Sequence, residues 1–559
     1  MKKSLFTSLA VASIALAVTS CSSKLGELSP EYFTVTPTPL VLQGNDVQAT
    51  INGTFPEKYM KKKAVVTVTP ELRGANGTVV RGQSATFQGE KVNGNGQEIS
   101  YRVGGNYTMR DAFPYNDDLL NSDLYLTFDA KVGKKVVEVP AVKVGYGVIA
   151  TANLYKKALQ QGGGIIAPDS FKQVQKMKQE ANIKFLINQA KLRKSELKNN
   201  SVQEFIDLLG RINKDAKSYN VNDIEVLAYA SPDGSESFND KLAAKRQAES
   251  EKYVNEQLKL AGVEGDVTGQ YTAEDWEGFQ QIVQASDIQD KDLILRVLSM
   301  YKDPQEREEQ IKNLSKGFRD LADNVLPQLR RSRMIINYEA VGHSNEELAE
   351  IFKNDPNTLT ADELLYLASI TKDNATKEKV YKYCAQKYPN DYRGLNNAAA
   401  MEFANGNADA AKQLIQKATA ANSKNGESLS NLALIALQEG NVSQAEALMA
   451  KAGNVNGINQ VQGAVEFAKG NYTKAAQLYN GVNNNMAALA QIQAQDYAAA
   501  RNTFKQITNG DAVTEYLHAI LCAREGNKYA TNSYLEEAIK KDASLKSYAD
   551  KDLELLGAK

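Results

Sequence analysis

Along residues 32–148, short β-branched and aromatic runs (Tyr32–Thr36, Ala64–Thr69, Leu124–Phe128, Lys135–Glu138 and Ala141–Val144) alternate with turns such as Asn93–Gly96 and Gly104–Asn106. Runs of this length bounded by Gly, Asn and Pro predict an all-β domain of hairpin-linked strands. The texture changes near Gly162-Gly163-Gly164, a triplet without the Lys-Ser/Thr of a phosphate loop, so 149–180 reads as a linker. Beyond it, Ile183–Asn188 and Asp223–Ala230 have strand character, and Val202–Ile212 and Asp240–Leu258 have helical periodicity, which together make a βαβα unit. From 343 onward, small and aliphatic residues recur in paired-helix blocks.

Charge and composition narrow the function more than the fold. With 66 Lys+Arg against 67 Asp+Glu in 559 residues, no global basic field exists to hold nucleic acid. Three Cys and two His leave little material for zinc clusters, disulfide frameworks or Cys/His nucleophiles, and Cys384 and Cys522 fall in helical patterns as buried thiols. His518 lies on a repeat helix as a packing residue, and His343 sits in a turn. No catalytic constellation, metal set or cofactor motif is visible. The β domain, whose strand spacing suits a sandwich of immunoglobulin-like character, receives no site, because half-buried strands routinely carry tyrosine.

Residues 1–20 combine the basic start Met1-Lys2-Lys3 with an apolar run from Leu5 to Val18, too short to span a bilayer, and read as a signal peptide. Val18-Thr19-Ser20-Cys21 resembles the lipobox of bacterial lipoproteins. That resemblance implies acylation of Cys21 and a membrane-surface anchor, with 21–31 as the tether. The following residues, Ser22–Glu27, lack a sorting aspartate and an acidic run. By the same resemblance the expected location is an outer membrane, facing the periplasm.

The stretch Val226–Ser235, with Ser231-Pro232-Asp233-Gly234 at its turn and Phe238, Asn239, Leu242 and Arg246 following, resembles the OmpA-like peptidoglycan-associating domain. Ile183-Lys184-Phe185 and Arg330-Arg331-Ser332-Arg333, leading into Met334–Val341, resemble that family's first and last strands, so the likeness covers 181–342. The family grips the zwitterionic diaminopimelate of the peptide stem with an Asp at the strand end and an Arg on the next helix. The resemblance places Arg246 at the arginine and Ser231 where the acid belongs. Asp233 either takes over the ammonium contact or only stabilises the turn. Asn239 is either a ligand group or the N-cap of the helix Asp240–Leu258. An insertion at 271–326 opens with Glu274-Asp275-Trp276 and continues with amphipathic helices over Leu293–Tyr301 and Ile311–Leu326. Its adjacent acids fit a helix start better than a hydrolase pair.

In 343–559 the turns Gly406-Asn407, Gly440-Asn441, Gly470-Asn471, Gln495-Asp496 and Gly526-Asn527 are spaced like repeats. After four of them come a small residue (Ala411, Ala445, Ala475, Ala500), a large one (Ile415, Met449, Tyr479, Phe504), and then Ala418, Ala452, Val482 and Ile507. This resembles the tetratricopeptide repeat, an all-α solenoid that binds protein segments. An earlier helix pair over Leu359–Pro389 begins the array.

The expected architecture is multidomain, with an all-β sandwich (32–148), a linker (149–180), an α+β OmpA-like domain (181–342) and a tetratricopeptide-like solenoid (343–559). The expected function is a lipid-anchored envelope scaffold that associates with peptidoglycan and recruits protein partners. One alternative is a structural component of an outer-membrane assembly without wall contact. The other, a wall-active enzyme, needs a site the sequence does not display.

Overall fold

Strand alternation near the N-terminus produces two sheets whose apolar faces meet in the computed structural model, which describes residues 25–288, 291–313 and 317–556. Cys21 and the signal segment lie outside the described residues. The strands are β1 (Phe33–Gln43), β2 (Asp46–Phe55), β3 (Ala64–Gly74), β4 (Val79–Arg81), β5 (Ala85–Gly89), β6 (Gln97–Ile99), β7 (Gly105–Pro114), β8 (Ser122–Val132) and β9 (Lys135–Tyr146). One sheet has the order β1-β2-β7; the other runs β6-β5-β3-β8-β9, with β4 paired to β3. Between them, Phe55 of β2 meets Phe87 of β5 edge-on at 5.2 Å. The two runs expected at Lys135–Glu138 and Ala141–Val144 are the single strand β9. It continues through Pro140 because β9 is an edge strand and its register to β8 shifts between Val139 and Val142.

The chain forms two compact units, one built from the residues up to Asp169 together with those from Leu364 onward, the other from Ser170–Glu363. The sandwich and the repeats, expected as separate domains, therefore belong to one body with a contiguous hydrophobic core. The β1–β2 turn presses against a repeat turn: Gly44 has φ +63°, and a Cβ there would lie 3.0 Å from the Ala468 carbonyl. Its N–H donates to Tyr472 Oη at 3.1 Å.

Residues 149–169, expected as linker, are ordered parts of this body. Helix α1 (Tyr155–Gly162) buries Tyr155, Ala158 and Leu159, an apolar set that a linker reading based on the glycine triplet overlooks. The repeat helices pair as Tyr392–Ala404 with Ala408–Ala421, Gly426–Gln438 with Val442–Ala452, Ile458–Ala468 with Tyr472–Leu478, Asn485–Gln493 with Tyr497–Gln506, and Ala512–Arg524 with Lys528–Lys541. Ala361–Ile370 and Asn374–Lys387 form the earlier pair. The small positions Ala411, Ala445, Ala475 and Ala500 are all fully buried, which lets paired helices approach closely. The irregular turn at Gln495 keeps the repeat geometry by taking φ +63°, the left-handed conformation that glycine supplies at the other four turns.

The second unit has a four-stranded sheet in the order β10-β13-β11-β12. Its elements are β10 (Val174–Lys184), α2 (Asn200–Lys214), β11 (Tyr219–Tyr229), α3 (Glu236–Ala261), β12 (Val267–Thr272) and β13 (Arg331–Val341). Phe205, Leu208 and Leu209 of α2 and Val254 and Leu258 of α3 cover Ile183, Ile224, Val226, Met334 and Ile336 of the sheet. Strand β10 starts inside the expected linker and ends at Lys184, so the expected strand Ile183–Asn188 lies mostly beyond it. Helices α4 (Trp276–Ala285), α5 (Lys291–Met300), α6 (Pro304–Lys312), α7 (Gly317–Asn324) and α8 (Leu326–Leu329) form the insertion, with a small core of Phe279, Val283, Ile294, Leu298 and Leu329 among others. The expected helix Ile311–Leu326 is divided, with α6 ending at Lys312 and α7 beginning at Gly317.

Candidate functional site

The β11–α3 turn brings Ser231, Asp233, Asn239 and Arg246 to one end of the central sheet. Ser231 Oγ donates to Asp233 Oδ1 at 2.6 Å, and Arg330 donates to both, through Nε to Ser231 Oγ at 3.1 Å and through Nη2 to Asp233 Oδ2 at 2.8 Å. Asp233 is thus a turn residue and also half of a mostly buried ion pair. Asn239 does not cap α3. The helix starts at Glu236 after the N-cap Ser235, one turn earlier than expected, and Asn239 Nδ2 instead donates back to the carbonyls of Ser231 and Gly234.

Arg246, expected to face a ligand carboxylate, is 1% exposed. Its guanidinium donates to three backbone carbonyls, of Gln189 at 3.0 Å, Tyr229 at 2.9 Å and Leu186 at 3.3 Å, and lies over the Phe185 ring. Burial, and then the nearby Arg330 charge, pull its pKa down to about 10 against the opposing pull of Asp233, so it stays protonated at neutral pH. Its donors brace the loop after β10 against the end of β11. At the insertion, Glu274 accepts the Trp276 indole N–H at 2.9 Å, whereas Asp275 accepts the Gly278 N–H at 2.8 Å and lies 3.0 Å from Arg331. The adjacent acids serve separate local partners. Among the described residues, no group of three His, Cys, Asp or Glu side chains is placed to hold a metal ion.

A second constellation lies on the repeats, and no residue in it was singled out from the sequence. Asn431 accepts the Ile165 N–H at 2.6 Å and returns an N–H to the Ile165 carbonyl at 2.8 Å. Asn397 makes the same pair with Ala167, at 2.7 and 2.9 Å. Asn396 joins them, donating to the Ile165 carbonyl at 2.9 Å and accepting from Asn431 at 2.9 Å and from Ser428 Oγ at 3.0 Å. All three Asn side chains are buried. Asn397 and Asn431 stand nine residues before Gly406 and Gly440 respectively, so they occupy the same position of successive repeats. Each repeat thereby reads one residue's backbone in an extended arm, two residues per step. Side-chain amides are suited to this, since each offers a donor and an acceptor matching a peptide group.

The tetratricopeptide repeat family matches residues 402–457, a range that includes Asn431 and begins after Asn396 and Asn397. The C-terminal region contains tetratricopeptide repeats, matched over this range. A tetratricopeptide repeat protein from Parabacteroides merdae is similar at 15% identity, over 44% of this chain and 98% of that one, with a TM-score of 0.28. Pseudomonas aeruginosa pilF is similar at 14% identity, over 38% and 97%, with a TM-score of 0.25. The APC/C hetero-tetramer Cut9-Hcn1 is similar at 13% identity, over 66% of this chain and 61% of that one, with a TM-score of 0.30. Likenesses this low carry no argument about function. No curated protein matches the chain. Tetratricopeptide repeats generally mediate binding of protein partners and suggest a protein–protein interaction scaffold.

Proposed function

We propose that the protein is a non-enzymatic scaffold of the cell envelope, anchored by acyl chains on Cys21 at an outer membrane and facing the periplasm, whose repeats hold extended segments of proteins. The observation that carries the interaction role is the paired Asn397 and Asn431 clamp on polypeptide backbone. The Val18–Cys21 sequence supports the anchor. In this reading the central unit is an OmpA-like spacer. Burial of Arg246 against three carbonyls and the Asp233–Arg330 pair support that role over direct capture of a zwitterion. In-envelope crosslinking followed by mass spectrometry tests the scaffold: partners retained by an Asn397→Ala/Asn431→Ala chain at wild-type levels would refute it. Loss of membrane fractionation in Cys21→Ser is expected, and its retention would remove the anchor.

Association with peptidoglycan is the second reading, favoured by the clustering of Ser231, Asp233 and Asn239 at one sheet end. There a diaminopimelate ammonium would have to displace Arg330 from Asp233. Co-sedimentation of the unlipidated full chain with diaminopimelate-type peptidoglycan, lost in Asp233→Ala, would establish it. Absence of wild-type binding would leave the spacer.

A further inference from the structure

We propose that residues 163–168 are a resident ligand of the repeat groove, and that a protein partner enters by exchanging with them through an extended segment of the same pattern: glycine, aliphatic residue, any residue, small residue. This rests on the scaffold reading above and adds the groove's specificity and the reason an unliganded chain keeps it closed.

The pattern follows from what each arm residue meets. At Gly164 a Cβ would lie 2.7 Å from Asn431 Oδ1 and 2.8 Å from Ala400 Cβ, so only glycine fits without moving the clamp. Ile165 is 8% exposed in the shared core and Ala167 is 1% exposed, whereas Ile166 between them is 39% exposed and unconstrained. Pro168 biases Ala167 towards extended backbone, the conformation the Asn397 pair requires.

On its N-terminal side the arm is also built to leave without its neighbour. Helix α1 is held independently: Tyr155 Oη donates to the Leu437 carbonyl at 3.0 Å, and Gln161 accepts the Asn485 N–H at 3.0 Å. Gly163 follows at φ +68° with open space about its Cα, a pivot between the anchored helix and the arm. Beside the arm lies a cleft of about 230 Å³, lined by Leu159, Leu434, Val461, Tyr479 and Met486 among others, so protein side chains do not pack against the arm on every side. A segment tethered this closely presents itself at roughly millimolar local concentration, so a free peptide with an intrinsic Kd of about 10 μM is weakened about 100-fold.

The test is fluorescence anisotropy of a labelled peptide spanning 162–169 against the full unlipidated chain, wild type beside Gly164→Leu. Ejection of the arm in Gly164→Leu is expected to tighten binding about 100-fold. Adding Asn431→Ala to that variant should weaken it by about 30-fold, and a peptide with Leu at the Gly164 place should bind neither chain. Should Gly164→Leu disturb the repeats, hydrogen exchange of wild type supplies the second measurement: millimolar peptide should accelerate exchange at Ile165 and Ala167 and leave α1 unchanged. Equal affinity for both chains, or arm exchange indifferent to peptide, overturns the proposal. Concentration-dependent dimerisation with unaltered peptide affinity also overturns it, by giving the groove to a second copy. Capture of envelope partners that peptide does not compete would overturn the exchange and leave the scaffold. Peptide binding with no envelope partner would remove the scaffold reading and leave the exchange.

Discussion

Replacing Arg246 with Ala separates a ligand group from a structural brace. The three N–H donors reach carbonyls at 2.9–3.3 Å, and the guanidinium covers Phe185. Hydrogen bonds from a charged donor contribute roughly 1.5 kcal/mol each, so the gross loss is about 4.5 kcal/mol. Two terms reduce it: a buried charge no longer has to be desolvated, and Leu186 and Gln189 are exposed residues whose carbonyls regain water. A net loss of about 3 kcal/mol remains. With a urea slope of roughly 2 kcal/mol per molar, the midpoint of the central unit should fall by about 1.5 M. The chain's single Trp is Trp276, seated edge-on against Phe279 in this unit, so its fluorescence reports the unit's unfolding selectively. An unchanged midpoint together with lost sedimentation on peptidoglycan would refute the brace and make Arg246 a ligand group after all.

Asp552 is buried beneath Tyr516, whose hydroxyl donates to it at 2.8 Å, and burial followed by repulsion from Glu554 raises its pKa from 3.8 to about 6. A raised carboxyl pKa means the native state binds the proton more readily, so stability falls as pH rises between about 4 and 6. Asp552→Asn should therefore melt later than wild type at pH 7.5, by up to roughly 3 kcal/mol, with the gain vanishing near pH 4; circular dichroism melts at the two pH values decide it. Asn431→Ala removes both bonds to Ile165 and should accelerate hydrogen exchange at the Ile165 amide by about 30-fold, equivalent to roughly 2 kcal/mol of local stability. Unaltered exchange would mean that the clamp contributes nothing. Gly44→Val places a β-branched residue at φ +63° within 3.0 Å of the Ala468 carbonyl and should lower the helical melting transition, by roughly 2–3 kcal/mol; a melt matching wild type would show that the sandwich does not stabilise the repeats.

The features that repeat along the chain were legible in it. The Gly-Asn turns and the Ala411, Ala445, Ala475 and Ala500 positions recur because every helix pair solves the same packing problem, and periodicity exposes a shared solution. Strands β1, β3, β8 and β9 of the sandwich and β11 and β13 of the central sheet were legible as short β-branched runs, although β9 runs through Pro140 and β10 begins in a polar stretch that carries no alternation; β2, β5, β7 and β12 were not singled out. The central site was legible as a place and not as an arrangement. Residue type puts an arginine at 246; only the loop folded back from Leu186 to Gln189 decides that its donors are consumed by carbonyls.

The arm and its clamp stayed hidden because each was judged by local chemistry. Three consecutive glycines suggest flexibility when nothing else is known, yet glycine is equally what a chain needs where another helix approaches within contact distance, as Ala400 does at Gly164. Asn397 and Asn431 looked like ordinary helix asparagines, which are poor helix formers and earn no notice by type. Their common offset from the repeat turns was the available signal: a polar residue kept at the same inward position of two successive repeats has a partner that also advances one step per repeat. Extended backbone has that property and a folded surface does not. The clamp is therefore matched to polypeptide in general through its amide pairs, and to one short pattern through the space left at Gly164 and Ala167.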